Sequence, residues 1–241
     1  MLETTRGIVL RYNQFGDDKA FVDIFTLSHG SLSFLVRDRR QRKGSLRATL
    51  LRPLHIVEMT IDYRPTQATH RIQELHLACC YTSLPYDPVK EVVALFLSEF
   101  LLNAIRKEVH NPQLFHYTAY SLQWFDATDR GLANFHIAFL LGLARHLGFW
   151  PNMSEGETMP YFDLQDGRPT DSMPMHDHFL TGEEAAALPT LLRMNLHNMH
   201  QFRLTREQRN RILDVLTLYF SLHVPEFREL RSLDVLRQVL A

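Results

Sequence analysis

With only two cysteines in 241 residues, adjacent at Cys79 and Cys80, the chain has no disulfide framework. Neighbours in sequence seldom reach the separation and dihedral of an unstrained bridge, and a reducing compartment suits such a chain. No apolar run approaches the ~20 residues of a membrane span, and Met1-Leu2-Glu3 lacks the basic start and apolar centre of a secretory signal. These absences point to a soluble, cytoplasmic protein. A phosphate-binding glycine loop, a serine nucleophile elbow and a His-Glu-x-x-His zinc helix are also missing, so neither an enzyme nor a cofactor is expected. His176-Asp177-His178 and the pair His197 and His200 lack a further ligand at defined spacing and read as solvated loops, so no metal site is assigned. There is no internal repeat and no low-complexity linker.

What is present is a concentration of positive charge. The apolar run Leu32-Ser33-Phe34-Leu35-Val36 passes directly into Arg37, Arg39, Arg40, Arg42, Lys43, Arg47 and Arg52, with Asp38 the one acid among them. An apolar run bounded by His29-Gly30 reads as a strand, and basic residues around Gly44 and Ser45 read as its exit loop. Charged groups leave water only when paired, so these cations must face solvent or a polyanion. The net charge of −1 hides an uneven division. Residues 1–82 hold 12 Lys+Arg against 8 Asp+Glu, an excess of +4, and the remainder holds 14 against 19, an excess of −5. Such asymmetry suits a basic half that meets a polyanion.

Strand-like runs fill the first part: Gly7–Tyr12 with a turn at Phe15–Asp18, Ala20–Thr26, the run that carries the basic exit, Leu54–Tyr63 and His70–Leu77. Five short β-rich runs in about 80 residues suit a small OB-fold barrel, an architecture that leaves a face and two loops free for oligonucleotide or oligosaccharide. An SH3-like barrel is the rival. The period then changes. Asp87-Pro88 and Asn111-Pro112 each supply a cap and a first-turn proline ahead of a wide apolar face, and Gly131 to Leu147 is apolar on most sides. Residues 152–177 form an irregular excursion with one hairpin, at Tyr161–Leu164 before Asp166-Gly167. Helices resume behind capping boxes at Thr181 with Glu184 and Thr205 with Gln208, and the last runs from Leu230 to Leu240. The expectation is an α+β protein: a five-stranded OB-fold β-barrel over residues 1–82, then a mostly α-helical domain over 83–241.

Binding a single nucleic-acid strand needs cations along the phosphates and flat side chains for the bases. The first part offers the seven cations above and the aromatics Tyr12, Phe15, Phe25, Phe34 and Tyr63, of which Tyr12 and Phe34 are taken as base-stacking candidates. An RNA-binding OB module and a scaffold for an acidic protein are the alternatives.

Thr5-x-Gly7-Ile8-Val9-Leu10, the turn at Gly16, Ile24-x-Thr26-Leu27-x-x-x-Gly30 and Val36-Arg37-x-x-Arg40 together resemble the bacterial recombination mediator family RecO. The likeness continues through Leu101-Leu102 and Leu140 to Pro151 and ends in Leu230-Arg231-Ser232, so it covers nearly the whole chain. It implies an OB-fold joined to a helical domain and a cytoplasmic, nucleoid-associated DNA-repair protein. Such a protein binds single- and double-stranded DNA without sequence preference, anneals complementary strands and helps load RecA onto DNA coated by single-strand-binding protein. The partners implied are RecR and the acidic, apolar C-terminal tail of the coating protein, with Arg130, Arg145, Arg203 and Arg206 as rims for an apolar pocket. Many members carry a Cys-x-x-Cys zinc site just after the position of Pro151, where this chain reads Asn152-Met153-Ser154-Glu155. A metal-free excursion held by packing is therefore expected.

Overall fold

The computed structural model describes residues 2–16, 19–37, 48–153 and 159–240. Five strands, β1 (Leu2–Phe15), β2 (Lys19–Thr26), β3 (Gly30–Arg37), β4 (Ile56–Asp62) and β5 (Arg71–Leu77), form one antiparallel sheet in the order β3-β2-β1-β4-β5. Its two edges meet at a parallel bridge between Phe34 and His70, where Leu35 N–H donates to the His70 carbonyl (3.1 Å) and His70 N–H to that of Ser33 (2.9 Å). This is the strand order of an OB-fold, with closure one bridge wide. The expected α+β class holds.

β1 is longer than the apolar run Gly7–Tyr12 suggested because it serves two partners. Leu2 to Ile8 pairs with β4 and Gly7 to Phe15 with β2, and a bulge between Val9 and Arg11 turns the strand between them. Ala20, Val22, Ile24, Phe34, Val36, Val57, Met59 and Ile61 fill the interior, alternating with side chains on the outer face.

The described residues contain six α-helices: α1 (Pro88–Ala104), α2 (Pro112–Ala127), α3 (Leu132–His146), α4 (Gly182–Leu191), α5 (Arg206–His223) and α6 (Leu233–Val239). Three caps act as read. Asp87 accepts from the N–H groups of Val89 and Lys90, Asn111 from that of Leu114, and Thr205 and Gln208 form a reciprocal box. The fourth does not: Thr181 makes no side-chain cap bond, and Glu184 instead holds Arg211 at 2.5 and 2.9 Å. α6 starts later than Leu230, after a stretch in which the Glu99 carboxylate accepts from the N–H groups of Arg231 (3.0 Å) and Ser232 (2.8 Å).

The periodicity change near Thr82 marks where strands give way to helices, whereas compactness groups the chain differently. One unit comprises the residues up to Thr128 together with Glu229–Leu240, and the other comprises Asp129–Arg228. In the first unit α1 packs on β1 and α6. Its polar hub is Asp126 near the end of α2, whose carboxylate accepts from the N–H groups of Thr82 (2.8 Å), Ser83 (2.9 Å) and Leu84 (2.7 Å) and from the Thr82 hydroxyl (3.0 Å). Beside it the fully buried Lys90 ammonium donates to Ser83 Oγ (2.7 Å) and to the carbonyls of Asp126 (3.0 Å) and Thr128 (2.7 Å). A buried ammonium is tolerable here because its three donors all have acceptors.

In the second unit α3, buried over most of its length as its all-round apolar sequence requires, packs on α5. The excursion is a small sheet ordered β7-β6-β8, from β6 (Tyr161–Asp163), β7 (Arg168–Thr170) and β8 (Phe179–Thr181). The hairpin is where it was read, with Asp163 accepting from the N–H groups of Gln165 and Asp166. β8 is additional.

Candidate nucleic-acid interface

Alternation along β2 decides what the outer face of the sheet carries. Ala20, Val22 and Ile24 point inward, so Lys19, Phe21, Asp23 and Phe25 point outward, and the strand register extends them into rows across three strands. Arg11, Asp23 and Ser33 form one row, Asn13, Phe21 and Leu35 the next, and Phe15, Lys19 and Arg37 the last. Beyond the first row the face is closed, since Phe25 is fully buried with its ring 5.7 Å from that of Phe115 on α2. The other end is open. Phe15 is 62% exposed and Phe21 36%, and their rings meet edge to face at 5.7 Å.

Among the described residues, the charge on this open end is positive. Asp23 is satisfied by Arg11, whose guanidinium reaches it at 2.7 Å, and by the Ser33 hydroxyl at 2.5 Å, so it adds little repulsion toward an anion. Lys19 and Arg37 make no ion pair among the described residues. Arg37 is exposed at the end of β3, where the chain enters the basic segment. Aromatic faces beside unpaired cations are what a nucleic-acid strand requires.

Of the residues singled out in the sequence, Arg37 lies on this face. Arg52 is exposed but lies off these strands, lining a cavity of about 230 Å³ with Pro53, His55 and Glu91. Burial, and secondarily the charge of Arg52, lowers the His55 pKa against the opposing effect of the Leu50 carbonyl. Arg39, Arg40, Arg42, Lys43 and Arg47 fall outside the described residues. The two stacking candidates are corrected. Phe34 is wholly buried in the sheet's interior, and Tyr12, paired with Val22, lies half-buried on the inward face. Phe15 and Phe21 are the exposed rings of this face. Phe21 was missed because Ala20-Phe21-Val22 is apolar throughout and hides the alternation, which becomes legible once Lys19, Asp23 and Arg37 are counted as the polar face. Tyr63 is engaged elsewhere, stacked between His29 (3.7 Å) and His70 (5.2 Å).

No group of three or more His, Cys, Asp or Glu among the described residues is arranged to hold a metal. After Pro151 the described residues are Asn152 and Met153, neither of which offers a thiolate, and Asn152 N–H donates to the Gly167 carbonyl at 2.7 Å. Side-chain packing holds this region. Phe149 stacks on His223 with ring centroids at 5.4 Å, Tyr219 OH donates to the Phe149 carbonyl (2.8 Å), and His223 Nε2 lies 2.9 Å from that of Leu164. Around the hairpin, Phe162, Leu164, Leu180 and Leu188 form a buried cluster with Tyr219. His176 contacts Asp163 at 3.2 Å.

An OB-type sheet with an aromatic and cationic open end, followed by helices, defines an α+β protein of the OB-fold class. Comparison with known proteins narrows this. Residues 1–81 match the family model described as Recombination protein O N terminal, and residues 85–234 match Recombination protein O C terminal. The chain is 40% identical over 241 residues to the DNA repair protein RecO of Phocaeicola vulgatus, covering all of both chains. It is 40% identical to that of Bacteroides fragilis and 34% to that of Christiangramia forsetii, each with 99% of both chains covered. The chain therefore belongs to the RecO family, which gives it a role in recombinational DNA repair. No helix among the described residues is long and apolar enough to cross a membrane.

Proposed function

We propose that this chain is a non-catalytic recombination mediator that binds single- and double-stranded DNA without sequence preference, with residues 1–82 as the DNA-binding module. The observation that carries the reading is the open end of the sheet, where exposed Phe15 and Phe21 stand beside Lys19 and Arg37 in a chain of a DNA-repair family. Bases stack on the two rings. Lys19, Arg37 and the basic segment through Arg39, Arg40, Arg42, Lys43, Arg47 and Arg52 neutralise phosphates and release condensed counterions. Two complementary strands held on one positive surface lose much of their mutual repulsion, which is the physical basis of annealing.

Loading of RecA onto DNA coated by single-strand-binding protein, with RecR as a partner, completes the reading. The acidic, apolar tail of the coating protein calls for an aromatic or apolar spot beside a cation. Arg145 over the Trp150 ring, 4.3 Å from its centroid, offers one, with Arg130, Arg203 and Arg206 as further candidate rims.

Fluorescence-anisotropy titration of labelled oligo-dT at several salt concentrations tests the DNA site. Neutralising about five phosphates gives a slope of log K against log salt near −3.5 on a single strand. Replacing Lys19 and Arg37 by Ala should flatten it by about one unit or more, and an unchanged slope would remove this face from the site.

A further inference from the structure

We propose that the groove between α4 and α5 is a docking site for an amphipathic helix of a partner protein whose apolar side chains are flanked by lysine or arginine. α4, α5 and the segment Phe202 to Leu204 enclose an open groove of about 600 Å³. Leu191, Phe202, Leu204, Ile212 and Val215 line it and are only half-buried, so their apolar surface remains in water. α4 presents Glu184, Ala187, Leu188 and Leu191 at i, i+3, i+4 and i+7, and the small, exposed Ala187 leaves space between the two helices. A helix laid in such a groove buries both sets of apolar side chains.

The rim selects the occupant. Glu183, Glu184 and Glu207 line the groove, and its one lining cation, Arg211, is bound through two nitrogens to Glu184. That pair cancels, leaving Glu183 and Glu207, neither of which makes an ion pair among the described residues. Each lies in the first turn of its helix and so favours the helix dipole, but helix stability gives no reason for the half-exposed apolar floor between them. Glu183 and Glu207 disfavour an acidic segment inside the groove, and Arg203 and Arg206, the candidate rims for an acidic tail, are not among its lining residues. A second copy in a two-fold contact would bring two acidic rims together. A basic amphipathic helix satisfies both the floor and the rim.

The test uses the full-length protein and two fluorescein-labelled helical peptides. Both carry leucine at i, i+3, i+4 and i+7, one flanked by lysine and its twin by glutamate at the same positions. The lysine peptide should bind at least about tenfold more tightly by anisotropy. Glu183→Lys with Glu207→Lys should reverse the preference, and Ile212→Glu or Leu191→Glu should abolish binding, while all variants keep the parent's far-UV circular dichroism and its affinity for oligo-dT. Equal binding of the two peptides, a preference that survives the double lysine variant, or a dimer in sedimentation that Ile212→Glu dissolves would each overturn the proposal. Unchanged oligo-dT binding keeps these outcomes separate from any failure of the DNA reading.

Discussion

Replacing Asp126 by Asn removes one charge and one acceptor from the polar hub of the first unit while leaving its shape. The native carboxyl is 8% exposed, and burial alone would raise its pKa. Hydrogen bonds from the N–H groups of Thr82, Leu84 and Ser83 and from the Thr82 hydroxyl outweigh burial and hold it at about 2, against an ordinary 3.8. That difference corresponds to about 2 kcal/mol of stability at neutral pH. A depressed carboxyl pKa contributes fully above the unfolded value near 4, and the contribution is lost as pH falls toward 2. Asparagine keeps one acceptor oxygen but turns an NH2 group toward N–H donors, so the total cost should be about 3 kcal/mol. For a chain of this size the melting temperature should drop by about 6–12 °C at pH 7. Differential scanning calorimetry of both proteins from pH 7 to pH 3 reads the effect, and the gap should narrow by roughly 1 kcal/mol at the acid end. A variant that melts with the parent at pH 7, or a gap that does not change with pH, would refute the assignment of Asp126 as an ionised hub.

Three further outcomes are expected. Phe15→Ala with Phe21→Ala should weaken oligo-dT binding by about 1–3 kcal/mol per stacked base while leaving the salt slope unchanged, because rings contribute stacking and no counterion release. Gly30 sits at φ +71°, and a Cβ there would collide with the backbone oxygens of Glu108 and Val109, so Gly30→Ala should destabilise by about 2 kcal/mol or more in chemical denaturation. His136 is completely buried on α3, and burial, aided by the charge of Arg209, pushes its pKa down to about 3. The unfolded chain takes up this proton near pH 6.5 and the folded chain does not. Stability should therefore fall by about 1.4 kcal/mol per pH unit between 6.5 and 3 on this account, and His136→Phe should remove that part of the acid sensitivity in pH-dependent melting.

Much of the architecture was legible because it rests on local rules. The strand runs, the two Pro-led helix starts and the Thr205 box each appear where side-chain alternation or a cap demands them. What escaped depends on distant partners. The full length of β1 follows from pairing on both sides, a property of β2 and β4. β8 is three residues long, too short to show a period, and exists because β6 has a second edge. Glu184 belongs to Arg211, far along the chain, so the local capping rule lost to an ion pair. Positive charge at the strand exit was plain in the sequence, whereas ring exposure was not, because residue type does not give burial: Phe34 and Phe21 are the same residue type on opposite faces of neighbouring strands.

The clasp of Glu99 on Arg231 and Ser232 has a bearing on biosynthesis. A polypeptide emerges from the ribosome in one direction, and the unit that begins first is here the one that finishes last. Its closing helix follows a whole intervening unit, so the β-sheet and its first helices must wait, with the seat of α6 vacant, until some hundred residues of other structure have been made. A nascent chain halted before Glu229 would carry a fully translated sheet and still lack the piece that seals its neighbouring helix.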